Sequence, residues 1–169
     1  MSALADQFTR VFREEHRAVR DALLDLVDAF SARDRLRIGS LLGWIGVLTG
    51  PHFRYEEEAL YPGLVEIFGA EYIDKLLTDH DRAIGTAASL IALAQRARLN
   101  DQDVVRAIRY VRSILPHVSD CDGLSIMVER LPEDRVRAVF AARERCRDAG
   151  LDLLRWAGDV RGRPALAPE

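Results

Sequence analysis

The stretch Pro51-His52-Phe53-Arg54-Tyr55-Glu56-Glu57-Glu58 recurs in outline 65 residues later as Pro116-His117-Val118-Ser119-Asp120-Cys121-Asp122. A lone histidine precedes each copy, His16 by 36 residues and His80 by 37. These four residues are all the histidines of the chain. The matched gaps predict a duplicated pair of helices that brings the four imidazoles, each on a different helix, together beside carboxylates. Such a cluster is typical of a metal site.

Helical periodicity dominates the rest of the chain. Apolar residues recur at helical spacing, and few runs alternate as strands do. The pattern predicts helices over about 8–30, 34–68, 70–99, 102–130 and 131–156. We therefore expect an all-α fold, an antiparallel up-down four-helix bundle with an appended fifth C-terminal helix. The bundle domain is expected to span residues 1–157, and the tail 158–169, with two prolines and two glycines, to be disordered.

The overall composition excludes some classes of partner. The net charge of −3 argues against a protein that binds nucleic acid through a general basic field. Two cysteines make no disulfide framework, which favours a reducing compartment. The N-terminus has no signal-peptide pattern, and no run approaches the roughly 20 apolar residues that span a bilayer. We expect a cytoplasmic protein with neither a nucleic-acid nor a membrane partner, and the sequence identifies no protein partner.

The first copy of the repeat carries the strongest ligand pattern. His52 and Glu56 are four residues apart, so both side chains lie on one face of a helix and can reach one point in the core. Imidazole and carboxylate together suit iron, manganese or zinc. Glu56 has two oxygens with which to bridge two metal ions, while His52 would supply a terminal nitrogen to one of them.

The second copy is degenerate. Cys121 stands where the first copy has its ligand glutamate, and Asp122 follows five residues after His117. A distortion at Pro116 would allow Asp122 to act as a second bridge. Cys121 either ligates as a thiolate, which would favour zinc or iron, or packs as a small apolar residue. Glu57 parallels Asp122 in the repeat and is expected near the site.

Two further kinds of side chain flank the candidate ligands. Glu15 and Asp79 immediately precede histidines, and a neighbouring residue on a helix points about 100° away, so we expect both carboxylates to be solvated. The acceptors for the outer ring nitrogens of the histidines are not identified by the sequence. Tyr55 and Tyr61 are candidates to donate a hydrogen bond to a metal-bound ligand.

The motif order resembles the hemerythrin-like, or HHE cation-binding, domain. The matching residues are His16, the run from His52 through Pro62, His80 and His117, and the resemblance covers roughly residues 8–130. It implies a four-helix bundle with two non-heme iron ions that are bridged by an oxo or hydroxo group and by two carboxylates, with zinc or manganese as alternatives. Carried over by position, the implied metal ligands are His16, His52, Glu56, His80, His117 and Asp122.

The chain also departs from the family pattern. Members usually place a second glutamate where this chain has Cys121, whereas true oxygen carriers place a carboxylate five residues after the histidine, which Asp122 matches. Those carriers also have a fifth histidine four residues from the one on the third helix. Here the positions four away from His80 are Leu76 and Ile84, which cannot ligate. One iron would lack a terminal ligand, which favours reaction at an open metal over reversible oxygen carriage.

The resemblance thus predicts a di-iron protein that binds or reacts with a small ligand such as dioxygen, peroxide or nitric oxide. Two other functions remain open at this point. One is a regulatory module that senses a metal or a ligand without turnover, since binding to the folded state stabilises it by mass action. The other is a structural bundle that has lost its metal.

Overall fold

The computed structural model describes residues 3–168, and helices account for 86% of them. No strand occurs in that range, so the prediction of an all-α fold is confirmed. The helices are α1 (Ala3–Ala32), α2 (Arg35–Tyr55), a π-helical turn (Glu56–Leu60), α3 (Tyr61–Phe68), α4 (Ala70–Ala94), α5 (Asp101–Asp122), a 3-10 segment (Gly123–Arg130), α6 (Glu133–Ala149) and α7 (Leu153–Asp159).

Four long helices surround the core. α1 packs against α2 and α5, and α4 packs against the same two helices, which closes a ring. The connection from α1 to α2 is two residues long, and Asp34 accepts a hydrogen bond from the Arg37 amide to cap α2. Asn100 and Asp103 form a capping box at the start of α5. The ring is consistent with a bundle, and the strict up-down order of its helices remains a prediction.

Two of the predicted helices change their winding close to the histidines. The single helix predicted over 34–68 is α2, the π-helical turn and α3, with Pro51 inside α2. The helix predicted over 102–130 is α5 followed by the 3-10 segment, with Pro116 inside α5. Proline removes a backbone donor, and a π-helical turn inserts one extra residue into the hydrogen-bond ladder. Both changes alter which side chains face the core beyond each histidine.

The last part of the chain differs most from the expectation. The predicted fifth helix is two helices, because Gly150 adopts a left-handed φ of 63° that ends α6 and Asp152 caps α7. We expected residues 158–169 to be disordered. In the structure the Leu166 amide donates to the Asp81 carbonyl at 2.9 Å, and the Arg161 side chain is 2% exposed. Glu169 lies outside the described residues.

Glycine allows this part of the chain to lie so close. A Cβ atom on Gly85 would collide with the Leu166 carbonyl, so only glycine lets the segment cross α4 there. Across residues 3–168, no helix has the length and apolarity required to cross a membrane.

Candidate metal centre

The four histidines meet in the core from four helices, as the repeat predicts. His16 lies on α1, His52 on α2, His80 on α4 and His117 on α5, and each is buried. The rings form two pairs. The ring centroids of His16 and His52 are 4.6 Å apart, and those of His80 and His117 are 4.8 Å apart.

Glu56 stands between the two pairs and is fully buried. Its Oε1 is 3.2 Å from His52 Nε2 and 4.0 Å from His16 Nε2. Its Oε2 is 3.2 Å from His80 Nε2. Glu56 begins the π-helical turn, directly after α2 ends. One carboxylate therefore offers one oxygen to each side of the centre.

The outer nitrogens of the histidines contact acceptors around the centre. His16 Nδ1 donates to the Phe12 carbonyl, His52 Nδ1 to Glu15 and His80 Nδ1 to Glu57, each at 2.8 Å. His117 Nδ1 faces Asp79 at 3.6 Å. Because an imidazole that donates from Nδ1 keeps the lone pair on Nε2, these contacts prepare the inner nitrogens to bind a cation.

A positively charged side chain contacts each of the three outer carboxylates, Glu15, Glu57 and Asp79. Arg143 donates to Glu15 at 2.7 Å, and Tyr55 donates to the other oxygen of Glu15 at 2.7 Å. Arg161 holds Glu57 at 2.8 Å. Lys75 holds Asp79 at 2.9 Å. These charged partners fix the outer carboxylates in place. Arg143 and Arg161 lie outside the helices that carry Glu15 and Glu57, whereas Lys75 and Asp79 share α4.

The expectation that Glu15 and Asp79 would be solvated was wrong. Both side chains do point about 100° away from the neighbouring histidine, as helix geometry requires. That direction leads to an adjacent helix rather than to water. Glu15 thus serves His52, and Asp79 faces His117. The sequence signal for these partners was the acidic residue immediately before His16 on α1 and before His80 on α4.

The two residues that compete for the second bridge lie in different places. Cys121 is fully buried, and its Sγ is 2.9 Å from Glu56 Oε1 and 3.4 Å from the Tyr61 hydroxyl. Within residues 3–168, His16, Glu56 and Cys121 offer donor atoms within 4.8 Å of one another, a group that does not include Asp122. The Asp122 side chain is 39% exposed, with Oδ2 4.0 Å from Arg13 Nε. Its assignment as a ligand stays a prediction.

The buried groups of the centre shift one another's pKa. Burial lowers the pKa of His52, but the charge of Glu56 and the hydrogen bond to Glu15 outweigh it and raise the pKa to about 10. Burial, together with the charge of His52, lowers the pKa of His16 to about 4. Burial raises the pKa of Glu56, but the charge of His52 dominates and holds it well below its usual value. The buried imidazoles and Glu56 therefore perturb one another strongly, as expected for groups gathered at one centre.

The geometry fits a bound cation. His52 Nε2, Glu56 Oε2, His117 Nδ1 and Asp122 Oδ1 are buried in the structure without an aligned hydrogen-bond partner. Buried polar atoms are nearly always satisfied, so His52 Nε2 and Glu56 Oε2, the two of these atoms that face the centre, call for a partner of their own. Donors bound to one cation at about 2.1 Å lie roughly 3 Å apart, which is close to the separations of 3.2 Å on either side of Glu56.

Aromatic rings enclose the histidines. Phe53 stacks on His80 with ring centroids 3.8 Å apart and planes 4° apart, and Phe12 lies 4.3 Å from His16. The Tyr61 hydroxyl is 3.1 Å from His80 Nε2, whereas the Tyr55 hydroxyl donates outward to Glu15. Of the two tyrosines considered from sequence, Tyr61 alone therefore faces the inner nitrogens with its hydroxyl.

Comparison with known proteins agrees with this site. The family model described as the Hemerythrin HHE cation binding domain matches residues 7–123. No curated protein and no solved structure matches the chain. The matched region contains all four histidines and Glu56 and covers well over half of the sequence. The chain belongs to the hemerythrin HHE cation-binding domain family.

Proposed function

We propose that this protein holds two non-heme iron ions and binds or reacts with a small ligand such as dioxygen, peroxide or nitric oxide. One observation carries the proposal: the buried Glu56 offers one oxygen to His52 and the other to His80, with unsatisfied donor atoms on both sides. A single metal ion would use one side of this arrangement, whereas two ions would use both.

The ligands divide into two half-sites around Glu56. The first half-site comprises His16, His52 and Glu56 Oε1. The second comprises His80, His117 and Glu56 Oε2. This division follows the observed pairing of the rings and the 3.2 Å separations from the carboxylate.

We assign the second bridging carboxylate to Asp122. Its Oδ1 is buried without a hydrogen-bond partner, although the rest of the side chain reaches solvent. A carboxylate is a hard donor that suits iron and can span two ions. Cys121 is nearer to Glu56, but burial and the charge of Glu56 raise the pKa of its thiol well above the usual value. A carboxylate offers two hard oxygens and a cysteine one soft sulfur, so for iron the nearer side chain is the weaker candidate.

The charges around the half-sites favour iron. Imidazole nitrogen with carboxylate oxygen suits iron, and zinc or manganese would accept the same donors. Glu15, Glu57 and Asp79 add negative charge just outside the ligands. The hydrogen bonds that Glu15 and Glu57 accept increase the basicity of His52 and His80. A more basic nitrogen stabilises the more highly charged, oxidised metal.

When bound, iron would supply the redox change and a coordination position for the small ligand. The protein supplies the surroundings. Phe12 and Phe53 cover two of the imidazoles and limit access of water to the centre. Leu76 and Ile84, which occupy the places of a further histidine, are buried and apolar, so neither can fill an open position. The Tyr61 hydroxyl is placed to donate a hydrogen bond beside His80.

A sensing role without turnover is the second candidate, and one observation favours it. The outer carboxylate Glu57 joins His80 to Arg161, which lies beyond the family match. Occupancy of the metal centre is thereby connected to a segment that a partner protein can contact. Such a switch needs only that metal binding stabilises one arrangement of that segment.

Anaerobic titration of the metal-free protein with ferrous iron tests the proposal. We expect saturation at two ions per chain, a rise in melting temperature on loading, and a new absorption band in the charge-transfer region after addition of dioxygen or peroxide. Loading with a spectrum that changes only on ligand binding, and no turnover of peroxide or nitric oxide, would favour the sensor. If iron, zinc and manganese all leave the melting temperature unchanged, the chain is a structural bundle and the proposal fails.

A further inference from the structure

The segment of residues 133–168 follows the region matched by the family, residues 7–123, and nevertheless reaches the centre. It contributes two arginines whose guanidinium groups contact the outer carboxylates. Arg143 of α6 contacts Glu15, and Arg161, just after α7, contacts Glu57. Each half-site thus receives one arginine from the same C-terminal segment.

Arg161 has the more buried side chain of the two, 2% exposed against 11% for Arg143. Its Nη2 and Nε donate to the two oxygens of Glu57 at 2.8 and 3.0 Å, which is the bidentate geometry that fixes a carboxylate in one plane. Nη2 also donates to Asp81 at 2.6 Å. The guanidinium lies 5.6 Å from the centroid of the Trp156 ring, which is part of the core beside Phe53. Glu57 in turn accepts from His80 Nδ1, so the contact chain ends at the centre.

Arg143 performs the matching task on the other side. Its Nε donates to Glu15 Oε1 at 2.7 Å, leaving Oε2 for His52 Nδ1 and the Tyr55 hydroxyl. The residue is 9% exposed, which is uncommon for an arginine without a specific partner. Arg143 and Arg161 therefore occupy equivalent places in two chains of contacts, one ending at His52 and one at His80.

Close approaches of the backbone seat the segment firmly. A Cβ atom on Gly50 would lie 2.6 Å from the Asp152 carbonyl carbon and 2.7 Å from the Leu153 amide nitrogen, so the connection before α7 touches α2 beside Pro51 and His52. Arg163 adds a second contact to Asp81 at 2.9 Å. The arginines consequently enter the centre from a fixed backbone rather than from a loose tail.

We propose that Arg143 and Arg161 are positioning residues of the metal centre: each holds one carboxylate against the outer nitrogen of one histidine, Glu15 on His52 and Glu57 on His80. This inference rests on the proposed function, because the orientation of the histidines matters to a metal centre only if they bind the metal. Loss of an arginine would leave a half-buried carboxylate without its cationic partner, and that carboxylate would turn toward water or another donor. The imidazole would then lose its fixed orientation, in one half-site only.

Nuclear magnetic resonance of the metal-free protein tests this without any metal. The chain has only four histidines, so ¹⁵N-labelled imidazoles give few signals to assign. A proton on Nδ1 that is hydrogen-bonded to a carboxylate exchanges slowly and resonates far downfield. We expect Arg161→Gln to broaden or remove that signal for His80 and to preserve it for His52. Arg143→Gln should do the reverse.

Matched controls separate positioning from general loosening of the fold. Arg163→Gln removes a partner of Asp81 and leaves the contacts of Glu57 in place, so both signals should persist. Arg137→Gln, an exposed site on α6 paired with Glu133, is the control for Arg143. Arg161→Lys keeps the positive charge but not the bidentate geometry, and should partly restore the His80 signal. Signals that change together in both variants, or in neither, would overturn the inference.

Metal affinity provides the second readout. Outer partners of metal-bound histidines typically contribute about 10- to 100-fold in affinity. We expect each Gln variant to weaken one of the two ferrous sites about tenfold and leave the other within about twofold, because the carboxylate itself remains present. If wild-type protein binds no metal, the proposed function fails and the NMR comparison alone decides the inference. If it binds two ions and both variants bind them equally well, the inference fails while the proposed function stands.

Discussion

The two half-sites are built from the same repeat and differ in where their negative charge lies. In the half formed by His16 and His52, the repeat supplies the central carboxylate Glu56, and one of the two outer acceptors is the neutral Phe12 carbonyl. In the half formed by His80 and His117, both outer positions face carboxylates, Glu57 and Asp79. Cys121 matches Glu56 in the repeat, but its Sγ lies 2.9 Å from Glu56 Oε1, the oxygen that belongs to the first half.

The difference shows how a duplicated site can diverge and keep its imidazoles. A buried carboxylate is costly unless it is paired, and the buried Glu56 faces histidines of both halves. The second copy of the repeat has a small thiol in place of the inner carboxylate, and the half-site of His80 and His117 has more negative charge in its outer positions. The two ions would therefore experience different surroundings, with the second half closer to the Tyr61 hydroxyl.

Removal of Glu56 should break both halves at once and have the largest effect. Glu56→Gln keeps the size of the side chain but removes the charge that faces both His52 and His80. We expect iron content to fall from two ions per chain to less than one. At a metal concentration about 100 times the Kd, a bound ion stabilises the folded state by about 2.7 kcal/mol, so the metal-dependent rise in melting temperature should largely disappear.

Two variants calibrate that experiment. Glu58→Gln, two residues away, changes a carboxylate that is 40% exposed and paired with Arg54, and should leave metal content unchanged. His52→Ala should empty mainly the first half-site, giving about one ion per chain. Full iron content in Glu56→Gln, measured by elemental analysis after gel filtration, would contradict the central role of Glu56.

Variants of Asp122 and Cys121 test which residue of the second copy of the repeat completes the centre. Asp122→Ala should reduce the iron stoichiometry from two toward one, because it removes a hard oxygen donor whose buried Oδ1 has no other partner. Cys121→Ala should leave the stoichiometry nearly unchanged. The reverse result would assign the ligand to the thiolate. If neither variant matters, the second copy provides only His117 to the metal.

Much of this centre could be predicted from sequence because helical geometry is local. The spacing of His52 and Glu56, and the matched gaps between histidines, predicted the convergence that the structure shows. The outer acceptors could not be assigned, because Glu15 and Glu57 serve histidines on other helices. The π-helical turn was missed as well, since no local residue pattern marks the extra backbone residue.

The C-terminal tail shows a second limit of composition. Prolines and glycines predicted disorder over 158–169. That argument omitted the buried carboxylates elsewhere in the fold that need a cation. Arg161 meets Glu57 and Asp81, and these non-local ion pairs hold the segment in place. The available sequence signal was the pair of arginines in this tail, in a chain that also has carboxylates beside its candidate ligands.

Asp79 offers a way to weaken the second half without touching a ligand. Asp79→Asn should remove the charge that faces His117 Nδ1 and lower the affinity of one ferrous site by about tenfold, since outer carboxylates contribute on that scale. Asp120→Asn is a matched control, because Asp120 is 50% exposed and contacts the same Lys75 but is not paired with a histidine in the structure. Competition with a chromophoric chelator measures both affinities. Equal affinities in the two variants would mean that His117 does not depend on Asp79.

Within residues 3–168, only the second half-site has a tyrosine hydroxyl, that of Tyr61, placed to donate a hydrogen bond to a bound small ligand. Removal of this hydroxyl should have the smallest effect of the changes considered. The Tyr61 hydroxyl lies beside His80, whereas the Tyr55 hydroxyl is committed to Glu15. Tyr61→Phe should therefore keep two iron ions and shorten the lifetime of bound nitric oxide by about fivefold, the value of one hydrogen bond near 1 kcal/mol. Tyr55→Phe should keep that lifetime, because its hydroxyl supports Glu15 and not the ligand. Stopped-flow release of nitric oxide from the iron-loaded proteins measures the ratio. A lifetime that changes in Tyr55→Phe but not in Tyr61→Phe would place the ligand in the first half-site instead.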